Sequence, residues 1–179
     1  MKKKSMIELQ RISCEEFKAA SKLPLVVVLD DVRSMNNIGS VFRTADAFVV
    51  EKIALCGITA TPPHTEIHKT ALGAEESVDW VHYDDVCRAI VDLRGQGYTI
   101  CAIEQVQGSI SLPDFNIEEG KKYAIILGNE VRGVKQEAVD QSDCCIEIPQ
   151  CGTKHSLNVA VTDGLVMWEF FRNSGIYLK

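Results

Sequence analysis

No stretch of this 179-residue chain comes near the roughly 18 consecutive apolar residues that a membrane-spanning helix needs. The opening Met1-Lys2-Lys3-Lys4 is basic, but no long apolar segment follows, so it does not read as a secretory signal. An excess of positive charge is missing as well. The net charge of −6 argues against a protein that grips nucleic acid through its overall charge, and leaves room only for a local basic patch. Cysteine occurs seven times, at positions 14, 56, 87, 101, 144, 145 and 151, yet the count is odd and no Cys-x-x-Cys occurs. Several of these thiols lie in apolar runs and read as small core residues, so a reducing cytoplasm is the expected compartment. Internal repeats, low-complexity tracts and linkers are also lacking.

What is there is an ordinary globular composition, 46% hydrophobic and 25% charged, in a length that suits one domain with a substantial core. Ser13-Cys14-Glu15-Glu16 has the form of a capping box and predicts a short helix to about residue 21. Residues 25–29, LVVVL, form a continuous apolar run rich in β-branched residues, the pattern of a central strand in a parallel sheet. Asn36 or Asn37 is expected to cap a helix through about residue 48, with Val41, Ala45 and Phe48 on one face. Further strands are expected at 52–56, 78–83, 98–103, 123–127 and 145–148. Helices are expected around 67–72, from Asp84 to the turn at Gly95 to Gly97, and over 158–172. Strands alternating with helices give an α/β fold with a mainly parallel sheet and helices on both faces.

Three polar blocks sit where apolar runs end. Asn37-Ile38-Gly39-Ser40-Val41-Phe42-Arg43 follows the first strand. Leu127-Gly128-Asn129-Glu130-Val131-Arg132-Gly133 follows the run at 123–127. Near the C-terminus the run at 145–148 is stopped by Pro149, which has no N–H for a ladder, and leads through Gly152 to His155-Ser156-Leu157-Asn158 and a long apolar helix. Each block alone is an ordinary strand–loop–helix joint. Together, in this order and spacing, they resemble the three motifs of the SpoU (TrmH-like) class of SPOUT methyltransferases, over about residues 25–171.

That resemblance implies an S-adenosylmethionine-dependent RNA methyltransferase acting on a ribose 2′-hydroxyl. It implies a deep trefoil knot in the C-terminal half, an exception to the rule against threaded chains that nothing in the hydrophobic pattern shows. It divides the chain into an N-terminal helical extension, 1–24, and a single methyltransferase domain, 25–179. The catalytic set it implies is Arg43, Asn37, Glu130, Ser156 and Asn158, and the cofactor-binding set is Glu104, Leu127, Gly128, Ile148, Pro149 and Leu157. Arg43, placed near a helix start, would contact phosphate and ribose. A general-base role for it conflicts with a guanidinium that effectively never loses its proton, so positioning and charge stabilisation is its firmer role. Glu130 would either orient Arg43, in its own or a partner's site, or accept hydrogen bonds within the knot. Gly128 would let the backbone approach the cofactor, and Asn129 reads as structural. Ile148 and Leu157 would flank the adenine, while Ser156 and Asn158 hold the reacting end. Most relatives have methionine where this chain has Gln150 and serine where it has Ala160, departures that bear on substrate detail.

Other constellations are weaker. His64 and His68 lack a third ligand at convincing spacing, so no metal is expected. Asp30-Asp31 reads as a solvated strand end. Gly95-Gln96-Gly97 lacks the rest of a dinucleotide fingerprint. Two rivals remain to the leading function: a catalytically silent RNA-binding or assembly subunit, and a methyltransferase acting on a base nitrogen. A tRNA substrate is expected first, because compact members often act on tRNA, and rRNA second. The resemblance also implies a homodimer. The apolar residues of the last helix cover more than one stripe, which a second subunit would bury. Two subunits would also join Lys2 to Lys4, Arg33, Arg43, Arg132 and Lys154 into one basic surface.

Overall fold

The computed structural model describes residues 1–5, 8 and 11–176, so the stretches 1–24 and 25–179 both run partly outside the described residues. Its centre is β1 (Leu23–Asp30). The run is apolar throughout because both of its faces are covered. Leu25, Val27 and Leu29 enter one core, and Val26 and Val28 enter a second on the other side of the sheet. Around it stand β2 (Val50–Cys56), β3 (Asp79–Tyr83), β4 (Thr99–Ile103), β5 (Ile110–Ser111), β6 (Tyr123–Leu127) and β7 (Cys144–Glu147). The sheet order is β3-β2-β1-β6-β4-β7-β5, and every strand pairing is parallel. The two-residue β5 was not expected from the sequence, since so short a piece carries no periodicity.

Helices α1 (Cys14–Ala19), α2 (Met35–Ala47), α3 (Thr65–Ala71), α4 (Ala74–Ser77) and α7 (Val159–Asn173) contribute to the first core. Helices α5 (Val86–Gly95) and α6 (Gln136–Gln141) contribute to the second. The capping box of α1 forms in both directions between Ser13 and Glu16. Two other caps are corrections. Ser34, not Asn36 or Asn37, caps α2, its hydroxyl accepting from the Asn37 N–H at 3.3 Å. Asp85, not Asp84, caps α5, accepting from the Cys87 N–H at 2.7 Å. In both places residues close in sequence have comparable capping chemistry, so the sequence alone does not choose between them. Leu23 and Pro24 already belong to β1, and Phe17 of α1 is buried in the first core, so the N-terminal segment packs into the sheet's own core.

Sequence order and spatial order diverge in the C-terminal half. β6 enters between β1 and β4, and β7 pairs on the far side of β4. The carboxyl ends of β6, β4 and β7 therefore lie side by side, and parallel sheets place ligand sites beyond such ends.

Candidate active site

Loops leaving β4, β6 and β7, with the first turn of α7, enclose a cleft of about 730 Å³. The loops are tied to each other. Asn129 and Gly133 exchange backbone hydrogen bonds of 3.0 and 2.8 Å, and Asn129 Oδ1 accepts from the N–H groups of Val131 and Arg132. Asn129 Nδ2 donates to the Asp31 carbonyl at 2.8 Å, so this side chain shapes the turn and anchors it to the end of β1. Glu104 Oε2 accepts from the Val134 N–H at 3.0 Å, and Gln105 Nε2 donates to the His155 carbonyl at 3.1 Å. Gly133 has φ +68, and a Cβ there would lie 2.1 Å from Glu104 Oε2. Gly128 also needs to be glycine because of a contact within its own loop. A Cβ at Gly128 would lie 2.0 Å from the Gly133 carbonyl carbon, so the close approach is between two parts of the same loop.

Of the residues singled out in the sequence, Glu104, Leu127, Gly128, Glu130, Ile148, Ser156, Leu157 and Asn158 line this cleft. Pro149 is exposed and is not in the lining. Asn37 stands behind the wall and connects two of the lining residues. Its Nδ2 donates to Glu130 Oε1, and its Oδ1 accepts from Asn158 Nδ2, both at 3.2 Å. Asn158 is thereby fully engaged, because its Oδ1 caps α7 by accepting from the N–H groups of Ala160 and Val161. Glu130 also accepts from the backbone N–H groups of Ser34 at 2.9 Å and Arg33 at 3.1 Å. Burial alone would push its carboxyl up, but these donors outweigh it and hold the group below the usual carboxylate range. Its bonds go to the start of α2, and none goes to Arg43. By contrast, the Ser156 hydroxyl and the backbone groups of Leu157 have no hydrogen-bond partner among the described residues.

Arg43 lies elsewhere. It sits in the third turn of α2, six positions and about 9 Å beyond Asn37 along the axis, rather than at the helix start. Its side chain is exposed, makes no hydrogen bond or ion pair among the described residues, and does not line the cleft. It borders a second hollow of about 1000 Å³ between α1, the end of α2 and the α3–α4 turn, lined also by Arg11, Asp46 and Leu72. Helices α2 and α7 run side by side, from Asn37 beside Asn158 to Phe48, whose ring lies 5.8 Å from Trp168 and 5.1 Å from Phe171. On α7, Val166, Met167 and Phe170 are buried, whereas Val161, Leu165 and Trp168 are 52, 44 and 47% exposed. Those three lie four and three residues apart, so they form one apolar stripe on the surface.

The weaker candidates have partners of other kinds. His64 caps α3 through Nδ1, and His68 pairs with Glu75. Asp30 and Asp31 are bridged by Lys135, whose Nζ lies 3.2 and 2.9 Å from their carboxylates. Burial raises the Asp30 carboxyl, and the bonds from Lys135 do not fully offset it. Sequence reading missed Lys135, which pins the loop after β6 to the end of β1 from 105 positions away.

Residues 24–168 match the sequence profile of the SpoU rRNA Methylase family. A TrmH-family protein of Staphylococcus aureus (strain MSSA476) is 30% identical over 151 residues, covering 84% of this chain and 59% of that protein. The chain thus spans less than two thirds of such curated relatives. The AdoMet-bound rRNA methyltransferase of Sinorhizobium meliloti superposes with a TM-score of 0.78 at 27% identity, over 86% of this chain and 60% of that one. A structure described for 2-OH methylation of C/U34 on tRNA superposes with a TM-score of 0.72 at 25% identity, over 83% of this chain and 94% of that one.

Proposed function

The chain belongs to the SpoU rRNA methylase family, and on that footing we propose that it transfers a methyl group from S-adenosylmethionine to a ribose 2′-hydroxyl of tRNA. The observation that carries this reading is the cleft at the ends of β6, β4 and β7. Its volume of about 730 Å³ falls within the roughly 300–1,000 Å³ of small-ligand sites. Leu127, Ile148 and Leu157 offer apolar walls to a purine ring, and the unpaired backbone groups of Leu157 offer a donor and an acceptor to its edge. The residues present therefore fit the cofactor. When bound, S-adenosylmethionine supplies a methyl group activated by its sulfonium.

The chain's own contribution is alignment. An in-line displacement at carbon needs donor and acceptor held at about 3 Å. Ser156, whose hydroxyl is uncommitted, is the group suited to meet the ribose. Asn158, Asn37 and Glu130 hold the wall beside it through their mutual hydrogen bonds. Arg43 acts by binding phosphate and offsetting charge.

Because Arg43 does not line its own chain's cleft, we place it in the site of a second subunit. The stripe of Val161, Leu165 and Trp168, on the helix beside α2, is the surface that a homodimer would bury. The exposed Arg33, Arg132 and Lys154 then extend the basic surface around the cleft. The family's trefoil knot belongs to the same reading, supported by the insertion of β6 between β1 and β4. So does one methyltransferase domain over 25–179 with 1–24 as its extension. A cytoplasmic location fits unpaired thiols, and no helix among the described residues is long and apolar enough to cross a membrane. The preference for tRNA over rRNA is supported by the likeness to the structure described for 2-OH methylation of C/U34 on tRNA.

The test is to incubate the protein with S-adenosylmethionine and total tRNA or rRNA, then map the methyl group. A new alkali-resistant ribose linkage in tRNA is the expected product. Absence of cofactor binding by calorimetry, or a methyl group on a base nitrogen, would overturn the reading.

A further inference from the structure

Two cysteines that take no part in the cleft are neighbours across the sheet. Cys101 on β4 and Cys144 on β7 are register partners in a parallel pair, with their Sγ atoms 3.4 Å apart in a hydrogen bond. Both belong to the first core. Cys101 is buried within it, while Cys144 is half-buried and reachable from solvent. The remaining thiols are separated from them. Cys145, next in the chain, packs on the opposite face with Cys56 and Cys87, and Cys14 and Cys151 are exposed. The shared hydrogen bond lowers the Cys144 thiol and raises that of Cys101, and the burial of Cys101 adds to its rise.

We propose that Cys101 and Cys144 are a covalent modification site, a dithiol that a peroxide oxidises to a disulfide linking β4 to β7. The steps balance. The Cys144 thiolate attacks one peroxide oxygen. An Sγ–O bond forms, the O–O bond breaks, and the other oxygen leaves as water after taking up a proton. Cys101 Sγ then attacks the sulfenic sulfur of Cys144. The Sγ–Sγ bond forms, the S–O bond breaks, and the Cys101 proton leaves with the hydroxyl as a second water. Two thiols and one peroxide become one disulfide and two waters.

The geometry also gives this bond a consequence. Closing the bond takes the two Sγ atoms from 3.4 Å to about 2.05 Å apart, and β4 and β7 must absorb that contraction. A partly exposed bond of this kind is readily reduced again. Two residues further along each strand, Ile103 and Ile146 line the cleft. Oxidation therefore reshapes its floor. This coupling rests on the reading that the cleft takes S-adenosylmethionine; the disulfide itself does not.

The experiment treats the whole protein with hydrogen peroxide, blocks the remaining thiols and maps the peptides by mass. Expected is a linked pair of peptides carrying Cys101 and Cys144, lighter by two hydrogens and released by dithiothreitol, and absent from Cys144→Ser and from Cys101→Ala. Calorimetry then shows the affinity for S-adenosylmethionine falling about tenfold on oxidation in the wild type and unchanged in Cys144→Ser. Links between other cysteines, no link at all, or the same peroxide sensitivity in both variants would overturn the site. A linked protein with unaltered affinity would overturn the coupling to the cleft. If neither form binds S-adenosylmethionine while the link forms, the modification site stands and the functional reading fails.

Discussion

The cleft at the strand ends and the α2–α7 face hold their functional residues in opposite states. In the cleft, Glu104, Asn129, Glu130 and Asn158 are each bound by groups of the same chain, Gly128 is fixed by a backbone approach and Gly133 by its positive φ and the Glu104 carboxylate against it. On the α2–α7 face, Arg43 has no partner among the described residues and stands on α2 beside α7, whose stripe of three large apolar side chains lies in solvent. The first region is preorganised within one chain, as a binding site for a small ligand should be. The second has the features of a surface that is finished by something else. On the proposed reading, a cofactor pocket is complete within one chain while the substrate side of the same reaction is not.

The largest effect expected is on turnover. Arg43→Ala should reduce kcat by about 10²–10³-fold, the range for loss of one transition-state donor. Arg43→Lys should also fail, for want of the planar fork. In both, calorimetry should give a wild-type cofactor affinity, because Arg43 is outside the cleft. A parallel loss of cofactor binding would erase the distinction between the two regions.

Next in size is Gly128→Val. The added side chain would meet the Gly133 and Val134 backbone, so the variant should lose about 3 kcal/mol of stability and its cofactor binding together. Denaturant unfolding and calorimetry measure both. Loss of binding at unchanged stability would mean that Gly128 serves the ligand directly, and the expected cofactor approach would replace the intraloop contact found here.

The smallest effect concerns Asp163, on the buried side of α7, whose carboxylate oxygens have no hydrogen-bond partner among the described residues. Burial pushes its carboxyl well above the usual range. Its folded pKa lies above the unfolded one, so the native state keeps a proton that the unfolded chain releases. Stability therefore falls as pH rises from the ordinary carboxylate range toward the folded pKa, and stays at its lower level above that. Asp163→Ala should be more stable than the wild type by about 1–3 kcal/mol near neutrality, with a smaller difference at about pH 5 than at about pH 8. Urea unfolding at the two pH values checks it. Cofactor affinity should not change, which would separate the stability of α7 from the service it gives to either region.

Much of this architecture was legible in the chain. The apolar run at 25–29 announced a strand buried on both faces, and the alternation of runs and helices announced the parallel sheet. The capping box at Ser13 could be read because it stands just before an apolar periodic segment. Neighbouring residues of equal chemistry hid the caps at Ser34 and Asp85. Brevity hid α4, α6 and β5, which are too short to show a period. What the sequence could not show was commitment. That Asn158 spends its whole side chain on α7 and Asn37, or that Lys135 bridges Asp30 and Asp31, depends on contacts spanning most of the chain. The position of Arg43 was hidden in the same way. Its spacing from Asn37 could be read, but the displacement of that turn from the cleft depends on how α2 packs against α7.

Whether each site joins the cleft of one chain to Arg43 of another can be decided by mixing two inactive proteins. Arg43→Ala keeps an intact cleft, and Asn158→Ala keeps an intact Arg43. After subunits exchange, half of the dimers are mixed and each carries one complete site. RNA methylation should therefore return to about a quarter of the wild-type rate. A mixture that stays as inactive as its components, although mass measurement shows that subunits have exchanged, would contradict the claim and place the whole site within one chain.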